Sequence, residues 1–403
     1  MNIIRRADIL LPNTGDMTAW STVACDQFTS EPEYWQQVEE LVGEKPSALH
    51  LMLPEAWLET EKAKGAEERI AMAMKAYQEQ GIFRKLENSF VYMERTQPDG
   101  RVRRGLICAI DLEGYDFRVG STSPIRATEG TVEDRLPPRV RVRQGATLEM
   151  PHVMVLMDDR DDRVLGPLEE KKDKLPAVYD FDLMMGGGHL RGWQVAGETA
   201  AAVELSLVSL GTPESLRAKY GDTEKAPVIF AIGDGNHSLA AARLCWEQRR
   251  ETLSPAEREN DPARFALVEL VNIHEKALDF EPIHRVLFDT DTSTFSTEYA
   301  AFMAAHSQPD LTVGEYIAAA ETFCKNYVQS HGGRLDYIHG DETAAEMGER
   351  PNCAAVILPP LDKAALFSSV LESGAFPRKS FSMGHARDKR YYLECRRIVG
   401  ENI

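Results

Sequence analysis

Residues 227–273 constrain the fold most tightly, because three patterns follow one another there with almost no room between them. PVIFAI (227–232) is apolar and β-branched, as a buried strand requires. GDGN (233–236) is a turn, and HSLAAARLCWEQRR (237–250) is dominated by strong helix formers. A further apolar run, 266–273, reads as a second strand. This order predicts a βαβ unit or a mixed sheet within an α+β or mixed α/β chain.

The flanking sequence adds elements of both kinds. A helix is expected over 31–42 after Ser30, and another over 62–81, where Ile70, Met72, Met74 and Tyr77 stand near helical spacing. Residues 89–95 and 102–111 read as a hairpin closed by Gln97-Pro98-Asp99-Gly100. The stretch 120–148 is polar, 153–157 is strand-like, 169–175 begins a short helix, and 201–208 alternates like a strand. Beyond 289 a helix is expected over 312–331, then strand-like runs at 354–358 and 390–398. The expected division is an N-terminal α/β region with the hairpin (1–115), a catalytic core (116–290) and a C-terminal helical and strand region packed on that core (291–403).

Charge narrows the partners. Sixty-four acidic against 46 basic residues give −18 over 403 residues. Such a field repels a nucleic-acid backbone, so a DNA-binding or nuclease role is disfavoured. No run approaches the roughly 18 apolar residues of a membrane span, and the N-terminal apolar stretch is too short for a signal peptide. Six widely spaced cysteines form no CxxC pair or zinc-ligand pattern and read as reduced thiols. A cytoplasmic protein is expected; its oligomeric state is left open.

The strand–turn–helix block carries the strongest chemical signal. Gly233 and Gly235 permit a tight turn and close approach to a ligand. The amides of Asn236 and Ser238 stand at a helix start, where the dipole favours an anion. Asp234 beside such a site is unfavourable unless it binds Mg²⁺, takes a proton or caps the amides itself. His237 adds an acid, base or phosphate donor. The competing reading is an ordinary N-cap, for which Asp and Asn are common.

Weaker constellations supply partners. Gly186-Gly187-Gly188 with His189 and Arg191 suits an anion nest or a plain hairpin loop. In 126–135, Arg126 or Arg135 suits a phosphate and Glu129 a base, against an exposed polar loop. His284-Arg285 and Lys379-Ser380 add donors, each also readable as a surface pair. Cys25 has no recognisable nucleophile partner and reads as a core residue.

In combination these residues resemble a known family. The order IRATEG…DR, YDFDL, DGNHSLAAAR, FEPIHRVL, PRKS is similar to the domain-of-unknown-function family 1015. The central element is similar to the Asp-Gly-His-His-Arg element of the ParB/sulfiredoxin-like superfamily, which includes an ADP-dependent kinase of free serine. The resemblance implies a ParB/sulfiredoxin-like core flanked by N-terminal and C-terminal α/β segments, and nucleotide phosphates at the helix start. Here the element reads Asp234-Gly235-Asn236-His237-Ser238, so Asn replaces the first His and Ser replaces the Arg. A phosphate-neutralising cation must then come from elsewhere: Arg126, Arg191, Arg285 or Lys379.

The function expected from the sequence is a phosphotransferase acting on a small metabolite such as serine, with ADP or ATP as donor and Mg²⁺ at Asp234. Asp234, His237 and Glu129 are the expected catalytic residues. Gly233, Gly235, Asn236, Ser238, Arg126, Gly187, Gly188, His189, Arg191, His284, Arg285, Lys379 and Ser380 are the expected binding residues. A non-catalytic regulatory protein that binds nucleotide or a phospho-metabolite is the alternative, and a phosphoserine phosphatase the next.

Overall fold

A computed structural model describes residues 3–306 and 311–400. The chain forms two compact units. The first draws on residues up to Arg126, on Thr131–Leu278 and on the segment from His385; the second on Ala127–Gly130 and Asp279–Gly384. The class is mixed α/β, as expected.

The first unit is built on an 11-stranded sheet. Its path runs Tyr115–Asp116, Ile125–Ala127, Phe230–Asp234, Met154–Met157, Phe265–Asn272, Val102–Asp111, Phe83–Thr96, His189–Val195, Ala177–Asp182. Ile4–Arg5 and Ala7–Pro12 pair beside Val102–Asp111 and Phe83–Thr96. Alternation assigns each strand's side chains to two cores. Val91, Met93, Ile107 and Ala109 join Trp20 and Trp35 in one. Phe90, Tyr92, Leu106 and Cys108 join Trp246 in the other. With both faces covered, the central segments 90–93 and 106–110 are apolar without alternation, while the strand ends carry the polar residues. The six cysteines are all thiols, and no described helix is long and apolar enough to cross a membrane.

The block that dominates the sequence is part of a mixed sheet and not a βαβ unit. Phe230–Asp234 pairs antiparallel with Met154–Met157, which pairs parallel with Phe265–Asn272. The two strands joined by the helix therefore run in opposite directions, with a third between them.

Four local expectations are corrected. Residues 201–208 lie in a helix, Gly197–Ser209, because Val203 and Leu207 form its buried stripe while Leu205 and Val208 stay exposed. The polar 120–148 stretch contains a helix, Leu136–Gln144, started by prolines. The 62–81 helix is shorter, Ala66–Glu79, with Gly65 in left-handed conformation before it. Of 390–398 only Arg396–Arg397 is strand, although Tyr391 and Cys395 form isolated bridges to Val23 and Leu10.

In the second unit Phe280–Phe288 is the central strand, antiparallel to Arg334–His339, Cys353–Val356 and Phe381–Met383. The helix Val313–His331 begins with a capping box from Thr312 and Glu315.

Candidate functional site

The site grows from the end of a buried strand. Phe230, Ala231 and Ile232 are buried, while Gly233 and Asp234 emerge half-buried. Gly235 then turns the chain with φ +80°, and the helix Asn236–Arg250 starts at once. A side chain at 235 would be strained at that φ, and its Cβ would lie 3.0 Å from Val153 Cα. Leu239, Ala240, Ala242 and Trp246 fix the helix against the sheet.

Gly235, at the N-cap position, has no side chain with which to cap this helix. Neither Asp234 nor Asn236 is therefore the N-cap residue, and the dipole end of this 15-residue helix favours an anion. Two polar atoms nearby differ in what they invite: the Thr131 hydroxyl can donate to an anion, whereas the Asn236 amide oxygen only accepts. Among the described residues, Asn236 Oδ1 and Thr131 Oγ1 are buried without a hydrogen-bond partner, a condition native proteins rarely leave uncompensated. The Val132 amide donates to His237 Nε2 at 3.2 Å.

The charge opposite Asp234 is Lys389, a residue the sequence reading missed. Its ammonium lies 3.4 Å from Asp234 Oδ2, and the lysine is only 7% exposed. Two buried arginines hold the lysine's backbone. Arg95 donates to the carbonyls of Arg387, Asp388 and Lys389, and Arg103 donates to the Asp388 carbonyl at 2.8 Å. Burial and the neighbouring Arg103 push the Arg95 guanidinium down to about 10. In the sequence, GHARDKR offers no periodicity or motif that separates Lys389 from solvated charges.

Ser238, which stands where the resembling element has arginine, faces a histidine. Its Oγ lies 3.1 Å from His152 Nε2, and His152 Nδ1 lies 2.8 Å from Tyr392 Oη. Asp26 completes this wall. Burial raises its carboxyl, but the charges of His152 and Lys389 and the Gln27 amide outweigh burial and hold it below the ordinary carboxylate range.

Of the expected cations, Arg126 lies in the same unit as Asp234. It is 9% exposed and donates to the Ser123 and Ala226 carbonyls, with no carboxylate partner among the described residues. Burial lowers its pKa. Its strand is the sheet neighbour of Phe230–Asp234.

The glycine-rich loop is engaged within its own hairpin. The Gly187 amide donates to the Met184 carbonyl, and the Gly187 carbonyl accepts from Arg95. Gly188 takes φ +92°, where a Cβ would fall on the Thr96 carbonyl. His189 sits between Asp182 (2.6 Å) and Asp180 (2.7 Å), and Arg191 donates to Glu94 at 2.8 Å. Burial lowers the His189 pKa, but the two carboxylates prevail and raise it. A raised histidine stabilises below its unfolded pKa of about 6.5 and loses that contribution as pH rises through its folded value. His189→Gln is expected to remove that loss of stability as pH rises above about 6.5. The effect is small because the ring is one-third exposed, and an unchanged profile in thermal melts would refute it.

The remaining expected residues lie in the second unit. Glu129 Oε1 accepts from the Ser380 amide at 3.1 Å. Arg285, fully buried, donates to Glu321 at 2.8 Å and to the Lys379 carbonyl at 2.9 Å. His284 accepts from the Leu358 amide at 3.1 Å and meets Asp341 at 2.8 Å. Lys379 takes φ +57° and lies over the Tyr337 ring at 4.6 Å. The structure thus gathers Asp234, His237, Ser238 and Arg126 in one unit, and Glu129, Arg285, Lys379 and Ser380 in the other.

Comparison with known proteins gives a family and two distant structures. The sequence model of the family described as "Protein of unknown function (DUF1015)" matches residues 7–397. No curated protein matches the chain. A conserved hypothetical protein from Pyrococcus furiosus is 10% identical, with 71% of this chain and 90% of that one covered at a TM-score of 0.31. A free serine kinase in complex with AMP is 8% identical, with 72% and 91% covered at a TM-score of 0.36.

Proposed function

The chain belongs to the family Protein of unknown function (DUF1015); as that description assigns no activity, we propose from the site's own chemistry that it is a nucleotide-dependent phosphotransferase acting on a small metabolite. One observation carries the reading: an ion pair, Asp234–Lys389, stands beside a helix start whose cap residue is glycine. The helix end attracts phosphate. Lys389 supplies the cation that Ser238 does not, and it offsets the repulsion a lone Asp234 would exert on that phosphate. Arg126 is the second cation in this reading.

In the reaction, the acceptor's hydroxyl oxygen bonds to the terminal phosphorus, the bridging P–O bond breaks, and the hydroxyl proton passes to a carboxylate. Asp234 is the candidate for that base, with serine the first acceptor to test. Among the described residues no cluster of three or more His, Cys, Asp or Glu forms a ready-made metal cage. In place of the base role, the single carboxylate of Asp234 suits Mg²⁺ carried in by the donor, since this ion is usually held by one or two carboxylates plus substrate phosphates.

Thermal-shift assays with ADP, ATP, CTP and phosphoserine, each with and without Mg²⁺, test the binding. A nucleotide is expected to stabilise the protein, and no shift with any of them would remove the reading. Phosphoserine acting alone would favour the phosphatase instead. Asp234→Asn then separates enzyme from sensor. Turnover is expected to fall about 100-fold or more with nucleotide binding retained; a wild-type protein that binds without turnover would make it regulatory.

A further inference from the structure

We propose that the cavity beside Ser238 receives the heterocyclic base of the nucleotide, an inference that rests on the phosphate-binding reading above. The cavity measures about 190 Å³. That is room for about six waters at liquid density, and it falls below the roughly 300–1,000 Å³ of pockets that enclose whole ligands. One ring system fits, while the sugar and phosphates must lie outside.

The position supports a base over any other occupant. Ser238 and Leu239, in the first turn of the helix that would hold phosphate, are also part of the cavity wall. A ligand anchored on that helix end thus reaches the cavity without leaving the helix. The floor is apolar, with Leu53, Val142, Leu148 and Leu267 contributing alongside Leu239 and Ala242. A flat, weakly polar ring gains from leaving water there, whereas a charged amino-acid acceptor does not. The polar groups on the wall are engaged with one another. Arg139 pairs with Glu55, Arg143 donates to Glu149 at 2.7 Å, and Ser238 meets His152. None of these groups needs a charge from the ligand, so the base would be held by contact and stacking.

The test compares ADP with inorganic pyrophosphate by calorimetry, in the wild type and in Val142→Trp and Leu53→Trp. Both positions are half-buried on the cavity wall, so a larger ring can fill it at modest cost to the fold. The wild type is expected to bind ADP at least tenfold more tightly than pyrophosphate. Each variant is expected to lose at least tenfold in ADP affinity and keep its pyrophosphate affinity, which also reports that it is folded. Wild-type ADP affinity in a variant that still binds pyrophosphate would overturn the base subsite alone. Failure of the wild type to bind either ligand would overturn the phosphate site and this proposal with it.

Discussion

Replacing Glu269 by leucine is expected to destabilise the first unit by about 3–5 kcal/mol, the usual cost of removing one partner from a buried ion pair. Glu269 is fully buried, and Arg103 reaches it at 3.1 Å and Arg390 at 2.8 Å. Burial pushes its carboxyl up, but the charges of Arg103 and Arg390 prevail and hold it below the ordinary range. Gly105 makes room for it, since a Cβ there would lie 2.8 Å from Glu269 Oε1. Leucine leaves the Arg103 guanidinium in the core without its carboxylate, and Arg390 with Glu394 as its remaining counter-charge. Arg103 also holds the Asp388 carbonyl, so the backbone that aims Lys389 should loosen as well. Urea unfolding followed by tryptophan fluorescence reads the loss; a change below about 1 kcal/mol would show that the pair contributes nothing beyond its volume. The gap between wild type and variant should narrow in acid. A depressed carboxyl stabilises above its unfolded pKa, and that contribution is lost as pH falls through the folded value.

Lys389→Met is expected to lower turnover by about 10²–10³, the scale for removing one preorganised charge-stabilising group, and to weaken phosphate binding about tenfold. Methionine keeps most of the side-chain volume at a position that is 7% exposed, so the fold should survive. The charge change is the larger effect: Asp234 would then face the incoming phosphate without its partner 3.4 Å away. The double variant Asp234→Asn/Lys389→Met should therefore recover part of the lost affinity, though not the rate. A double-mutant cycle on pyrophosphate affinity measures that coupling. Lys389→Met binding pyrophosphate like the wild type would mean that the pair is structural and that the phosphate's cation lies elsewhere.

The local part of the site was legible because its determinants are neighbours in the chain. An apolar β-branched run, two glycines and an alanine-rich helix former specify strand, turn and helix through contacts within a few residues. The hairpin was legible for the same reason: Gln97 and Arg101 close it by a backbone bond, and Pro98-Asp99-Gly100 announce it. Where local signals conflict with packing, the reading failed. Residues 201–208 alternate by accident of composition, and only the burial of Val203 and Leu207 one helical turn apart makes them a helix.

By itself, then, the sequence determined the mixed class, the family and the turn at Gly235, where φ +80° and the approach of Val153 leave room for no other residue. Tertiary structure decided which charges meet. Lys389 reaches Asp234 across 155 positions, the difference of their numbers. The cations Arg285 and Lys379, which read as equals of Arg126 in the sequence, belong to a different unit. The reason is physical. Backbone conformation follows from short-range sterics and periodicity, whereas the role of a charge is set by burial and by the partner that packing brings within a few ångströms.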